Sequence, residues 1–178
     1  MGGMSQSTAR RAPTDDELDA AARRLGRLLV RRGWQMASAE SCTGGMVGHV
    51  ITQVPRSSDH YLGGIVSYSD AVKEELLDVP RVLLDRVGAV SAEVAEAMTT
   101  GALARFPVAH LAVAVTGIAG PDGGSAEKPV GLTYVAAAVR DGKAVVERET
   151  WPHDRSGNKR ASVLKVLELA ARVAGEGG

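Results

Sequence analysis

A polar corner between a predicted strand and a predicted helix carries the first candidate for covalent chemistry. Residues 39–45 read Ala-Glu-Ser-Cys-Thr-Gly-Gly. A hydroxyl on such a corner lies at the edge of a sheet, and the amides that open the next helix favour a developing oxyanion. Ser41 is therefore a candidate nucleophile for acyl transfer. The simpler interpretation is that Ser41 or Thr43 only caps the helix, and the segment lacks the Gly-x-Ser-x-Gly spacing of a nucleophile elbow.

The single cysteine of the chain, Cys42, is chemically the stronger nucleophile of this segment. A lone cysteine is more often a small packing residue, and no nearby histidine stands out as its base. Because it has no partner for an internal disulfide, it is typical of a protein in a reducing compartment. We therefore expect a cytoplasmic protein in which Cys42 packs rather than reacts.

A base for a serine nucleophile is available in the segment Tyr68-Ser69-Asp70-Ala71-Val72-Lys73. If a strand ends near Tyr68 and a helix begins near Asp70, Lys73 lies in the first helical turn and leans back over the same sheet edge. A lysine removed from water has a lowered pKa and can take a proton from a serine. The alternative is a solvated lysine in the run Lys73-Glu74-Glu75.

A glycine-rich segment is the third candidate. Residues 116–124, Thr-Gly-Ile-Ala-Gly-Pro-Asp-Gly-Gly, leave the carboxyl end of a predicted buried strand. Ligands of α/β sheets bind at such ends, and glycines let backbone amides approach a phosphate closely. The segment is neither a Walker loop nor a Rossmann fingerprint. It predicts a ligand-binding loop.

The start of the last predicted helix offers cations, whereas the histidines offer no metal site. Asp154, Arg155, Lys159 and Arg160 are either a solvated helix terminus or a source of cations for a phosphate. The four histidines have no metal-ligand spacing, and one cysteine does not complete a zinc site. We expect neither a metal nor a cofactor.

The elements that must hold these segments alternate between helices and apolar strands. Thr14-Asp15-Asp16-Glu17 is a capping box for a first helix, and Arg140-Asp141-Gly142 predicts a hairpin turn. This order predicts a single α/β layered domain over 14–174, with a mixed β-sheet flanked by helices, and residues 1–13 are expected to be a disordered tail. Helices are predicted at 15–32, 46–54, 70–77, 81–86, 92–105 and 157–173, and strands at 34–39, 62–68, 110–115, 130–139 and 143–151.

Composition narrows the classes of partner. The chain has 178 residues, with 21 Lys and Arg against 21 Asp and Glu, and 3% aromatics. A balanced charge argues against a dominant basic surface for nucleic acid, and so few aromatics argue against a base-stacking platform. No apolar run approaches the ~20 residues of a membrane span, so we expect neither nucleic acid nor membrane as a partner.

Five motifs in order resemble the CinA C-terminal domain family over about residues 15–172. They are the segment 39–45, the Tyr-Ser-Asp-x-x-Lys of 68–73, the Gly-Ala-Val-Ser of 88–91, the segment 116–124 and the Lys-Pro-Val-Gly of 128–131. The chain resembles the stand-alone form of the family, because the nucleotide-pyrophosphatase-like domain of longer members has no room in it.

The resemblance implies a nicotinamide-nucleotide amidase, which hydrolyses nicotinamide mononucleotide to nicotinic acid mononucleotide and ammonia in pyridine nucleotide salvage. It places the nucleophile on Ser41 and its partners on Tyr68 and Lys73. The expected partner is a small-molecule nucleotide, and we expect a homo-oligomer. The substrate-binding positions fall on Glu40, Cys42, Thr43, Gly44, Gly45, Thr116, Gly117, Gly120, Arg155 and Arg160, with Lys159 as an alternative to Arg160.

Two other functions fit the same motifs. A non-catalytic domain that senses a nucleotide or binds a protein partner is one, because longer family members are associated with DNA uptake and competence. An amidase for another small carboxamide is the other. The presence of Ser41, Tyr68 and Lys73 together favours an enzyme, since a binding module does not need all three.

Overall fold

One mixed sheet of five strands is covered by six α-helices within residues 11–176, the part of the chain that the structure, a computed structural model, describes. The spatial order of the strands is β2-β1-β3-β4-β5. Strands β2, β1 and β3 are parallel to one another, β4 pairs antiparallel with β3, and β5 pairs antiparallel with β4. The predicted α/β domain with a mixed sheet is confirmed. The elements are α1 (Asp15–Arg32), β1 (Met36–Glu40), α2 (Met46–Thr52), β2 (Tyr61–Val66), α3 (Asp70–Leu77), α4 (Arg81–Val87), α5 (Ala92–Arg105), β3 (Leu111–Gly117), β4 (Leu132–Val139), β5 (Val145–Thr150) and α6 (Arg155–Glu176).

The two faces of the sheet bury two different kinds of side chain. Along β3, Leu111, Val113 and Val115 pack towards α1, α2 and α6, while Ala112 and Ala114 pack towards α3, α4 and α5. This alternation follows from the two-residue period of a strand. The alanine face lets helices approach closely, and α5 in turn contacts α3 so tightly that a Cβ on Gly101 would collide with the Leu77 carbonyl. Helix α3 is thereby packed closely against α5, which itself lies on the sheet.

The parallel strands bring three of the motif segments to one edge. Strands β1, β2 and β3 end at Glu40, Val66 and Gly117, so the residues that follow each of them emerge side by side. This edge, where the carboxyl ends of parallel strands meet, is where α/β sheets place ligands. The expected meeting of segments distant in sequence therefore follows from the strand order.

Local capping signals marked several boundaries correctly. The capping box of Thr14 and Glu17 is present, and Ser69 and Ser91 cap α3 and α5. Helix α6 begins at Arg155, two residues before its predicted start, because the Asp154 carboxylate accepts from the Gly157 amide and caps it.

Residues 116 and 117 belong to β3 rather than to the loop. The predicted tail over 1–13 falls mostly outside the described residues, and 11–13 contain neither helix nor strand. Across residues 11–176, no helix combines the length and apolarity needed to cross a lipid bilayer.

Candidate active site

The Ser41 hydroxyl and the Lys73 amine meet directly. Lys73 Nζ donates to Ser41 Oγ at 3.1 Å, and the lysine is only 1% exposed. Two backbone carbonyls fix the amine from the other side, Ser67 at 2.9 Å and Tyr68 at 3.3 Å. Ser41 follows β1, and Lys73 lies in the first turn of α3, where the Ser69 cap starts the helix. The solvated alternative for Lys73 is therefore wrong.

Burial makes Lys73 a suitable proton acceptor. Removal from water lowers the pKa of its amine below the ordinary value, and the Asp70 carboxylate at 3.7 Å only partly opposes this effect. A neutral amine has two N–H groups and one lone pair. The carbonyls of Ser67 and Tyr68 can accept the two N–H groups, which leaves the lone pair for the proton of Ser41. This arrangement is chemically suited to a serine nucleophile with a lysine base.

Tyr68 lies at the rim of this group rather than inside it. Its side chain is 62% exposed, and its phenol oxygen accepts from the Arg155 guanidinium at 3.2 Å. In the described part of the chain the phenol makes no hydrogen bond to Ser41 or Lys73. The structure therefore brings the hydroxyl and the amine together, and it joins the phenol to a cation that enters from α6.

Glu40 holds the corner from beneath. It is 2% exposed, and its carboxylate accepts hydrogen bonds from the Thr43 hydroxyl (2.8 Å) and from the amides of Gly45 (3.0 Å), Val47 (3.0 Å) and Gly48 (2.9 Å). Both oxygens are thus used inside the protein. These four bonds favour a positioning role for Glu40 over the predicted contact with substrate, and Thr43 is likewise buried with its hydroxyl turned to Glu40. The sequence signal for this positioning role was an acidic residue a few positions before a predicted helix.

The turn after Ser41 leaves two amides without an acceptor. The Gly44 amide donates to the Ser41 carbonyl at 3.0 Å, and the Gly45 amide donates to Glu40. Both glycines have a positive φ, 63° and 95°, which a residue with a Cβ adopts at a cost. In the part of the chain that the structure describes, the amides of Cys42 and Thr43 donate to no backbone or side-chain oxygen. They are the donors available for an oxyanion.

Cys42 is not suited to act as a nucleophile. Its side chain is buried, and desolvation raises the pKa of the thiol to about 12. The thiol therefore stays protonated at neutral pH, and the thiolate is the reactive form. The expectation that Cys42 packs rather than reacts agrees with this burial, although the residue does line the cavity beside Ser41.

A cavity of about 280 Å³ lies over Ser41 and Lys73, and residues 116–120, 122 and 123 form one of its walls. Thr116 lines it but donates its hydroxyl to the Ala89 carbonyl at 2.8 Å. Gly117 lies close to Thr133 of the neighbouring strand, and the Gly120 carbonyl accepts from Arg155 at 2.7 Å. A second hollow of about 710 Å³ shares Ala119 and Arg155 with this cavity. The two together are large enough for a small molecule.

Two of the three cations near the start of α6 lie at this site. Arg155 lines both hollows, and Lys159 lines the larger one with its amine close to Gly44. Arg160 instead donates to the Pro13 carbonyl at 2.6 Å and to Asp15 at 2.7 Å. Successive helical residues point about 100° apart, so Lys159 and Arg160 face different sides. For the predicted contact with substrate, this geometry favours Lys159 over Arg160.

Comparison with known proteins identifies the family of this chain. A sequence model of the CinA C-terminal domain matches residues 18–174. A CinA-like protein of Geotalea uraniireducens is 54% identical over 123 residues, which are 69% of this chain and 29% of that protein. The nicotinamide-nucleotide amidohydrolase PncC of Pseudomonas putida is 47% identical over 154 residues, which are 86% of this chain and 94% of that protein.

Solved structures show the same fold. The competence/damage inducible protein CihA of Agrobacterium tumefaciens has a TM-score of 0.85 at 37% identity, over 92% of this chain and 98% of that one. The competence damage-inducible protein A of Klebsiella pneumoniae has a TM-score of 0.86 at 29% identity, over 90% and 99%. The chain spans less than two fifths of several curated relatives that it matches, including those of Geotalea uraniireducens, Desulfotalea psychrophila and Parasynechococcus marenigrum. With the family match covering nearly the whole described range, the chain belongs to the CinA C-terminal domain family.

Proposed function

We propose that this chain is an amidohydrolase that converts nicotinamide mononucleotide to nicotinic acid mononucleotide and ammonia. The observation that carries the proposal is the buried hydrogen bond between Lys73 and Ser41 at 3.1 Å. The likeness to the Pseudomonas putida nicotinamide-nucleotide amidohydrolase, over 94% of its length, supports the choice of substrate.

In the first half of the reaction, Ser41 attacks the carboxamide carbon while the neutral Lys73 amine takes the hydroxyl proton. The oxyanion that forms on the carboxamide oxygen accepts from the amides of Cys42 and Thr43. The Lys73 ammonium then gives its proton to the amide nitrogen, the C–N bond breaks and ammonia leaves. An ester of Ser41 remains.

In the second half, water attacks this ester and Lys73 takes a proton from the water. Collapse of the second tetrahedral intermediate breaks the bond to Ser41 Oγ, which recovers its proton from Lys73. The product forms as the carboxylic acid, which gives its remaining proton to solvent and leaves as the carboxylate, and the amine is neutral again. The same base thus serves both halves, as its position against the nucleophile requires.

The rest of the nucleotide lies along the cations of α6 in this proposal. The pyridine ring enters the cavity beside Thr116 and the glycines that follow it, and Arg155 and Lys159 pair with the phosphate. Tyr68, which is bonded to Arg155, closes the rim beside the reacting carboxamide and assists proton transfer. No metal or cofactor takes part in these steps.

The proposal includes an assembly of several copies of the chain. Strand β2 lies at the edge of the sheet, and Val66 on it is exposed, so this edge is open to a second copy. Light scattering of the purified protein tests the expectation, and a monomer at micromolar concentration would contradict it.

Release of ammonia from nicotinamide mononucleotide tests the chemistry. We expect turnover by the unaltered protein and a loss of several orders of magnitude in Ser41→Ala and in Lys73→Met, whereas the exposed Ser58→Ala and Lys143→Met keep it. Equal rates in Ser41→Ala and the unaltered protein would refute the nucleophile. Binding of the nucleotide without release of ammonia by the unaltered protein would favour the non-catalytic sensing domain.

A further inference from the structure

A separate hollow of about 450 Å³ lies at the opposite end of the sheet from Ser41. Helix α1 forms one wall, and residues 54–60 form the other. The carbonyl of His60 in this wall accepts from the Met36 amide at the start of β1, whereas Ser41 follows the end of β1. At about 3.3 Å per residue, the two sites are roughly 16 Å apart along the strand.

A buried imidazole without a partner lines this hollow. His60 is 4% exposed, and none of the described residues bonds to its Nδ1. Helix α1 makes room for the ring with Gly26, where a Cβ would lie 2.7 Å from His60 Cε1. Glycine is disfavoured in a helix interior, and an unpaired buried polar atom is rare. The helix glycine and the unpaired nitrogen are both unfavourable, and they lie at the same place, which points to a ligand.

The rim of the hollow is strongly basic. Arg23, Arg27 and Arg31 follow one another at four-residue intervals along α1, and Arg56 faces them from the other wall. Such like charges at this spacing destabilise a helix. Arg23 is paired with Asp19, and Arg56 is paired with Asp59. Among the described residues, Arg27 and Arg31 have no acidic partner.

The backbone of Arg56 adds a third cost. Its φ is 66°, in the left-handed region where a residue with a Cβ is strained. Strained residues cluster at binding sites because the surrounding structure must hold them there. The conformation directs the chain so that Arg56 and His60 line the same hollow as α1.

We propose that this hollow is a second binding site, which takes an organic phosphate of nucleotide size. Guanidinium groups bind phosphate oxygens in pairs of hydrogen bonds, and Arg27 and Arg31 are placed to do so. Val30, Val54 and Pro55 provide an apolar wall for the base or sugar. The lining has four arginines and one aspartate. This local excess of positive charge matches a polyphosphate, although the chain as a whole has no net charge.

The imidazole of His60 reports on the site. Burial lowers its pKa, so that the ring is neutral at neutral pH. The charged groups that face it are the arginines of α1 and, from its own wall, Arg56 and Asp59. A bound phosphate offsets the arginine charge, and its oxygens can accept a hydrogen bond from an N–H of the protonated ring. Binding is therefore expected to raise the pKa of His60.

Titration calorimetry with ADP, inorganic pyrophosphate and adenosine tests the proposal. We expect ADP to bind the unaltered protein more tightly than either fragment. In Arg27→Gln/Arg31→Gln the ADP affinity falls by roughly tenfold or more, since charge-assisted hydrogen bonds are lost. The matched control Arg24→Gln/Arg148→Gln removes the same charge from exposed positions outside the hollow, and it should stay within about twofold of the unaltered protein.

Three outcomes would overturn the inference. They are no binding of ADP at millimolar concentration, an affinity that is unchanged in the double variant, and an equal loss in the control. Pyrophosphate that binds as tightly as ADP would equally refute a site for an organic phosphate.

An NMR titration separates this site from the proposed active site. ADP should shift the ring resonances of His60 in the unaltered protein and not in Arg27→Gln/Arg31→Gln. Release of ammonia from nicotinamide mononucleotide, measured without ADP, should be equal in the two proteins because the hollow is remote from Ser41. The outcome for ADP is therefore independent of whether the chain hydrolyses an amide, and unchanged His60 resonances at saturating ADP would refute the second site.

Discussion

Replacing Glu40 by glutamine tests how the nucleophile corner is held. In Glu40→Gln the shape is kept, but one of the two oxygens becomes an NH₂ group. The oxygen that accepts from Thr43, Gly45 and Val47 serves three donors, and the other serves only the amide of Gly48. The glutamine therefore turns its oxygen to the three donors and its NH₂ towards Gly48, where two donors face each other.

The size of the effect follows from these four bonds. A buried donor left without an acceptor costs about 1–3 kcal/mol, and hydrogen bonds to a neutral oxygen are weaker than those to a carboxylate. The easier burial of a neutral group offsets part of the loss. We expect the free energy of unfolding to fall by about 3 kcal/mol, from the 5–15 kcal/mol typical of a domain. For a chain of this length that lowers Tm by roughly 6–12 °C.

We also expect Glu40→Gln to affect catalysis, because Glu40 holds the turn that follows Ser41. A shift of the free amides of Cys42 and Thr43 weakens the contact with the oxyanion, and loss of one such donor costs about 10²–10³ in kcat. We expect kcat for ammonia release to fall by at least about tenfold with KM within about twofold, because both Glu40 oxygens are bonded within the protein. Calorimetry and steady-state kinetics on the same preparation measure both effects.

Glu168→Gln is the matched control, because it removes the same charge from an exposed position on α6. It should change the free energy of unfolding by less than about 0.5 kcal/mol. If Glu40→Gln instead melts with the control and keeps the kcat of the unaltered protein, the four-bond role of Glu40 is refuted.

The remaining predictions concern the groups around the cavity. Burial disfavours the charged amine and lowers the pKa of Lys73. We therefore expect kcat/KM to rise with pH, through a midpoint below 10.5. A kcat/KM that falls as the pH rises through this range would contradict a neutral base. Cys42→Ala should keep most of the activity. Iodoacetamide should modify the native thiol slowly, since the pKa of Cys42 is raised to about 12. Rapid inactivation by iodoacetamide would refute the inert thiol. Lys159→Gln should raise KM for nicotinamide mononucleotide by roughly tenfold, as expected for a lost phosphate contact. Arg160→Gln should leave KM unchanged and lower only the stability of the fold. The opposite pattern in steady-state kinetics would indicate that Arg160, and not Lys159, contacts the phosphate.

Local patterns in the sequence determined the elements and much of the motif chemistry. The capping box at Thr14 and Glu17 and the serine cap at Ser69 act within a few residues, so they mark helix starts without knowledge of the rest of the chain. The apolar run that predicted the strand at 110–115 and the hairpin turn at 140–142 are equally local. Together they were sufficient to predict a layered α/β domain and to place Ser41 and Lys73 at the ends of its elements.

Only the tertiary structure decided which of the polar groups face the cavity. Ser41 and Lys73 are 32 residues apart, and Tyr68 and Arg155 are 87 apart, so their contacts depend on strand order rather than on any local pattern. Burial and direction are likewise properties of the packed molecule. They turn the Glu40 carboxylate inward and lower the pKa of Lys73, and they separate Lys159 from its neighbour Arg160, because desolvation and helix rotation take effect only once the elements have packed.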